Sequence, residues 1–106
     1  MVERFDVFLV NLDPNPAGDA KNTRPCVVIS PNEINRNIDN VIIAPLSSHR
    51  TKYPTRVPVN FLNSERSIVL DQIRTIDRVR LVKKIGRIDP DPGKEMLARL
   101  REMFAE

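Results

Sequence analysis

Read as hydrophobic and polar positions, the chain is a series of short apolar runs separated by polar turns, with one helical stripe at its end. Phe5-Asp6-Val7-Phe8-Leu9-Val10-Asn11-Leu12 is rich in strand formers, and its near-continuous apolar character predicts a strand buried on both faces. It stops at Asp13-Pro14-Asn15-Pro16-Ala17-Gly18, which is turn chemistry throughout, and runs on as the polar segment Asp19-Ala20-Lys21-Asn22. Together these make a long hairpin connection, and long loops in compact domains are disproportionately functional. Thr23-Arg24-Pro25-Cys26-Val27-Val28-Ile29-Ser30-Pro31 follows, an apolar strand bracketed by two prolines that cannot donate to a ladder. A residue before proline is pushed out of the helical region, so Arg24 is expected in extended backbone at the entry of that strand.

Asn32 to Asn40 is asparagine-rich and turn-prone. Val41-Ile42-Ile43-Ala44-Pro45-Leu46 is a β-branched run in which the proline signals an edge or a bulge. Ser47 to Pro54 is a polar, basic loop, and Thr55-Arg56-Val57-Pro58-Val59 alternates like a half-buried edge strand. Asn60 to Arg66 reads as a connection, and Ser67 to Ile73 as a further strand, polar only at its far end. Thr75 to Leu81 can hold a short helical turn capped by Thr75 or Asp77, and Lys83 to Ile88 a last strand. The helix signal begins at Asp89-Pro90-Asp91-Pro92-Gly93, with Asp91 as cap and Pro92 at the first helical position. Met96, Leu97, Leu100, Met103 and Phe104 form its apolar stripe. Short strands at close spacing, frequent prolines and one terminal helix argue for a small, strongly curved barrel closed by that helix.

Composition adds a size, a charge and a compartment. At 106 residues the chain is expected to form one domain spanning 1–106, with an aliphatic core because aromatics are only 5% and tryptophan is absent. Net charge is +3 with pI ≈ 9.4, which is compatible with an anionic partner. The excess is local: Arg74, Arg78, Arg80, Lys83, Lys84 and Arg87 face Asp77 alone between Arg74 and Ile88, an expected phosphate-contacting segment. The single Cys26, inside an apolar strand, excludes an internal disulfide, fits a reducing cytoplasm and reads as an inert thiol. No apolar run approaches membrane-spanning length, and the chain opens directly into strand pattern, so neither a secretion signal nor a membrane span is expected. His49 is the only histidine, with no Cys or His cluster beside it to hold zinc.

Polar segments border the strands at Asp19 to Arg24, Ser47 to Lys52 and Asp71 to Arg74. If the strands share one curved sheet, Arg24, Ser47, Ser48, His49, Asp71, Gln72 and Arg74 can converge on one rim. That set lacks Ser-His-Asp order and a phosphate-cradling glycine loop. It suits a phosphodiester. Cleavage of RNA by its own 2′-hydroxyl needs a base, an acid at the departing 5′-oxygen, and cations or donors on the phosphorane. Asp71 or His49 could serve as base, Arg24 and Arg74 as charge stabilisers, and Ser47 as a phosphate donor. The plainer alternatives are an exposed His49, serines that only shape a turn, and an Asp71 that pairs with Arg74 at the surface.

Five groups of residues, in order and at these spacings, carry a family resemblance. They are Val10-Asn11-Leu12-Asp13-Pro14; Thr23-Arg24-Pro25 with Val27 to Pro31; Asn35; Val41 to Leu46; and Asp71 to Asp77 with Arg80-Leu81. Over almost its whole length the chain resembles the MazF/PemK family, sequence-specific endoribonucleases that are the toxins of bacterial type II toxin–antitoxin pairs. The resemblance implies a mainly β fold, a small SH3-like barrel of five to seven strands with a C-terminal helix. It also implies a cytoplasmic two-fold homodimer, single-stranded mRNA bound across the dimer face, cleavage that needs no metal or other cofactor, and growth arrest relieved by an antitoxin protein. By position, Arg24 is similar to the family's catalytic arginine, and Ser47 stands where a catalytic threonine is usual. Serine keeps the hydroxyl and loses the methyl that restrains its rotamer. Asp71 and Gln72 match the polar strand end used for acid–base work and RNA contact, while Val69 occupies a position where one branch places a catalytic arginine. Asp19 falls where many members carry an acidic loop residue. Lys21, Asn22, Ser48, His49 and Arg74 complete the expected RNA-contacting set, although the family does not single out His49. The alternative of a different class is a non-catalytic toxin of the same fold that inhibits DNA gyrase or only binds RNA. The gyrase poisons rely on C-terminal helix residues that typically include a tryptophan, which this chain lacks.

Overall fold

The structure, a computed structural model, describes residues 1–14, 22–49 and 52–106. Seven strands, β1 (Asp6–Asn11), β2 (Thr23–Val28), β3 (Asn40–Ser47), β4 (Arg56–Phe61), β5 (Ser64–Val69), β6 (Arg74–Asp77) and β7 (Leu81–Arg87), form one antiparallel sheet. The order is β4-β5-β3-β2-β1-β7, with β6 also on β3. A short helix α1 (Asn32–Asn37) follows β2, and α2 (Pro90–Met103) ends the chain. The fold is the mainly β, curled sheet with a C-terminal helix that the strand spacing predicts.

β3 organises the sheet. One edge carries β2, through Cys26↔Pro45, Val27↔Ala44 and Val28↔Ile43. The other edge is shared: β6 takes Asn40 to Ile43, and β5 takes Leu46 and Ser47. Pro45 falls in the gap between these two partners, where a missing N–H costs the ladder nothing. The proline signal is therefore corrected from an edge strand to a break in the middle of the most connected one. Between β5 and β6 the chain makes a 3-10 turn, Leu70–Gln72, packed beside that gap.

Both faces of β1, of the Cys26–Val28 half of β2 and of most of β3 are covered, which is why their sequences lack clean alternation. Val7, Val27, Ala44 and Leu46 join Val57, Phe61, Ile68, Leu70 and Met96 in a core on one face. Val10, Cys26, Val28, Val41, Ile43 and Ile76 form a second core on the other. The two ends of the sheet meet where the Phe61 ring of β4 lies over Gly86 of β7. A Cβ at Gly86 would stand 2.9 Å from that ring. Gly86 also adjoins a bulge, because Val7 pairs Gly86 while Phe8 pairs Lys84.

Five segments depart from their sequence reading. The strand expected over Ser67 to Ile73 ends at Val69 and gives way to the 3-10 turn, and the helical turn expected from Thr75 begins only at Arg78, after strand β6. Asn60 to Arg66 is a tight hairpin, β4 to β5, whose two turn residues Leu62 (φ 49) and Asn63 (φ 62) are both left-handed. A leucine at the first of those positions hid the turn, since Asn-Gly or Asp-Gly is the usual signal. Asn32 to Asn37 is helical, held by its buried Asn35 amide on the Ser30 carbonyl at 3.0 Å. The terminal helix starts two residues earlier than the Asp91-Pro92 reading, with Asp89 as cap residue and Pro90 first inside. Its stripe of Met96, Leu97, Leu100 and Met103 lies on the first core, but Phe104 falls after the last turn and is exposed. Asp77 does cap the 3-10 turn Arg78–Arg80, its carboxylate accepting from the Val79 amide.

Candidate functional site

Arg24 lies on β2 opposite Val10, exposed, with its backbone extended by Pro25 as the pre-proline rule requires. Continuing the β2–β3 register two residues past Cys26↔Pro45 brings Arg24 level with Ser47 at the end of β3. Arg74 opens β6 beside Ile43, also exposed. Arg24, Ile43 and Arg74 share the face of the second core, because side chains alternate along each strand and pair across it. Cys26 follows Arg24 on the same face of β2. Burial pushes its thiol up to about 11, opposed by the positive charges of Arg24 and then Arg74. Two guanidiniums therefore flank one apolar strip, and among the described residues neither has an ion pair.

Ser47 is half-buried, and its Oγ accepts the His49 amide at 3.1 Å in a local turn. The acceptor side is engaged and the O–H is left to donate, so a turn-forming serine can also bind a phosphate oxygen. Ser48 and His49 are exposed beyond it. Asn22 closes the neck of the long hairpin: Leu12 donates to its carbonyl at 2.9 Å, and its own amide donates to Asp13 at 3.2 Å. Asp19 and Lys21, from the expected RNA-contacting set, lie outside the described residues.

Asp71 sits in the 3-10 turn beside β3, with Gln72 next to it and exposed. Its partner is Arg56, not Arg74. The guanidinium grips the carboxylate at 3.0 and 3.3 Å, and the Thr55 hydroxyl donates to it at 3.0 Å. The fork from Arg56, ahead of the Thr55 bond, holds Asp71 below the usual carboxylate range. A group so held is a poor proton acceptor near neutral pH. Sequence reasoning missed Thr55 and Arg56, because a contact spanning fifteen residues leaves no local pattern. Beside them opens a groove of about 1010 Å³ lined by Tyr53, Arg56, Pro58, Ser67, Arg99 and Met103. Ser67 pairs with Ser47 across β3 and β5, so the groove adjoins the serine end of the rim.

The basic segment is mostly spent on architecture. Arg78 donates to the carbonyls of Asn35 and Ile38 at the end of α1. Arg80 donates to the carbonyls of Asn11 and Asp13, at 3.0 and 2.5 Å, where the long hairpin leaves β1. Lys84 and Arg87 neutralise the fully buried Asp6, at 3.2 and 2.9 Å. Lys84 and Arg87 are exposed as well but paired, whereas Arg74 and Lys83 are exposed and have no ion pair among the described residues, so these two are the members of the run left to meet a phosphate.

The curled seven-stranded sheet with a terminal helix is the fold of known toxins. The family model described as "PemK-like, MazF-like toxin of type II toxin-antitoxin system" matches residues 3–104. The chain belongs to that family. Among solved structures, MazF from Deinococcus radiodurans is similar, with TM-score 0.78 and 23% identity, over 96% of this chain and 94% of that one. The Mycobacterium tuberculosis toxin MazF-mt6 gives TM-score 0.77 and 22% identity over 93% and 95%. A mycobacterial endoribonuclease solved with its cognate antitoxin gives 0.80 and 21% over 96% and 93%. Among the described residues no helix is long and apolar enough to cross a membrane.

Proposed function

We propose that the chain, as one toxin domain over residues 1–106, is a sequence-specific endoribonuclease that cleaves single-stranded mRNA and arrests growth. The observation that carries the reading is Arg24: an exposed guanidinium with no ion pair among the described residues, held in extended backbone by Pro25, level with Ser47 in the strand register and sharing a face with Arg74. The 2′-oxygen of one nucleotide attacks the adjacent phosphorus while the bond to the 5′-oxygen breaks. The products are a cyclic phosphate and a 5′-hydroxyl end. Arg24 and Arg74 stabilise charge gathering on the phosphorane, and Ser47 donates to a non-bridging oxygen. Imidazole is the side chain suited to proton transfer near neutrality, so His49, of the two bases first considered, takes the 2′-hydroxyl proton, and water supplies the proton that the departing 5′-oxygen needs. Asp71 acts as a fixed charge that orders the turn bearing Gln72. The reaction uses no metal or other cofactor, the chain works in the cytoplasm as a homodimer, and an acidic antitoxin segment covers Arg24 and Arg74.

Purified protein incubated with mixed-sequence RNA in EDTA should yield discrete fragments with 5′-hydroxyl ends, and Arg24→Ala should yield none. Intact RNA at high wild-type concentration would overturn the reading.

A further inference from the structure

Arg99 ties the C-terminal helix by hydrogen bonds to the segment that holds Asp71. Arg99 Nη1 donates to the carbonyl of Arg56, the first residue of β4, at 2.5 Å, and shares its second N–H between the carbonyls of Tyr53 and Pro54 just before it, both at 3.4 Å. Its Nε donates to Glu95 at 2.8 Å, one turn back on α2, which fixes the rotamer. The clamped segment is then tied twice to the turn that carries Asp71. Leu70 donates its amide to the Thr55 carbonyl at 2.8 Å, and Thr55 and Arg56 together hold the Asp71 carboxylate. Beyond Asp71 stand Gln72 and Arg74, two of the expected RNA contacts.

We propose that Arg99 is a positioning residue that sets the Asp71-to-Arg74 side of the rim from the terminal helix, through the Tyr53–Arg56 backbone. A guanidinium meets the carbonyls through Nη1 and the Glu95 carboxylate through Nε in one rigid plane. Lysine offers a single ammonium on a flexible stem. A pure stability role would need no such chain, since Met96, Leu97, Leu100 and Met103 already dock the helix on the core. Where it concerns RNA, the inference rests on the endoribonuclease reading. Its geometry does not.

The test uses the full chain with Arg99→Met and Arg99→Lys, followed by carbon-detected NMR titration of the Asp71 carboxyl. In both variants the midpoint should rise from its lowered value toward the ordinary carboxylate value, further in the methionine variant. Amide exchange at Arg56 and Leu70 should speed up while exchange in β1 and β2 stays protected. RNA cleavage should lose about tenfold, carried mainly by KM, as expected for misplaced contacts away from Arg24. An unmoved Asp71 midpoint in a folded variant overturns the proposal, whatever the cleavage result. Should Arg99→Met not fold, Arg99→Lys alone decides by the same midpoint. If wild-type protein leaves RNA intact, the endoribonuclease reading fails and the titration still decides whether Arg99 sets the turn.

Discussion

Gly93 sets two ordinary effects against each other, and the geometry decides the sign. It is buried in the first turn of α2, where replacing glycine with alanine normally gains up to about 1 kcal/mol by restricting the unfolded chain. An alanine Cβ there would stand 3.0, 3.1 and 3.2 Å from Cζ, Cε1 and Cε2 of the Phe5 ring. Contacts that short require the ring to move by a few tenths of an ångström. Phe5 has little freedom to do so, because its backbone is left-handed at φ 78 and bonded on both sides. Its amide donates to Val28 at 2.8 Å, and its carbonyl accepts from Ile88 at 2.9 Å. Overpacking of this kind costs about 1–3 kcal/mol, so the clash outweighs the helix gain. Gly93→Ala should therefore lose about 1 kcal/mol, equivalent to a drop of roughly 5 °C in Tm for a domain of this size. Urea unfolding at constant m reads the change. In a Phe5→Leu background the ring is gone, and the same substitution should turn stabilising by about 0.5 kcal/mol. A higher urea midpoint for Gly93→Ala with Phe5 present would refute the reasoning.

Two further outcomes follow from the charges. The Asp71 carboxylate is depressed in the folded state, so its contribution is present above the ordinary value of 3.8 and disappears as pH falls through the lower folded value. The stability difference between wild type and Asp71→Asn should thus be larger at about pH 6 than at about pH 2, and an equal difference at both would contradict the Arg56 fork. Arg74 and Arg80 should separate binding from architecture. Arg74→Gln is expected to reduce the salt slope of RNA binding by about 0.7 with little change in the urea midpoint. Arg80→Gln should lower the midpoint and leave the slope alone, because its donors are committed to Asn11 and Asp13. Equal slope changes in the two variants would show that the hydrogen-bonded arginine also meets phosphate.

Local chemistry was enough for much of this molecule. Pro25 dictated extended backbone at Arg24, apolar runs without alternation announced strands covered on both faces, and the Met96-to-Met103 stripe marked the helix that packs on them. These are properties of a residue and its near neighbours, so they are readable in one dimension. The site residues could be named in the same way, as polar ends of apolar runs. What they touch could not. Whether Asp71 met Arg74 or Arg56, whether six cations were free or bound, and whether Pro45 lay at an edge or in a gap all depended on which segments lie side by side. Pairing across the curled sheet made those choices, through β3 sharing one edge between β5 and β6. The sequence by itself determined most of the strands, the terminal helix and an arginine held at a strand entry. Tertiary structure alone decided which charges are spent on carbonyls and buried Asp6, and which are left facing solvent at Arg24 and Arg74. The physical reason is that a charge's partner is set by distance in space, and fifteen or sixty-nine residues of chain separate the pairs that matter here.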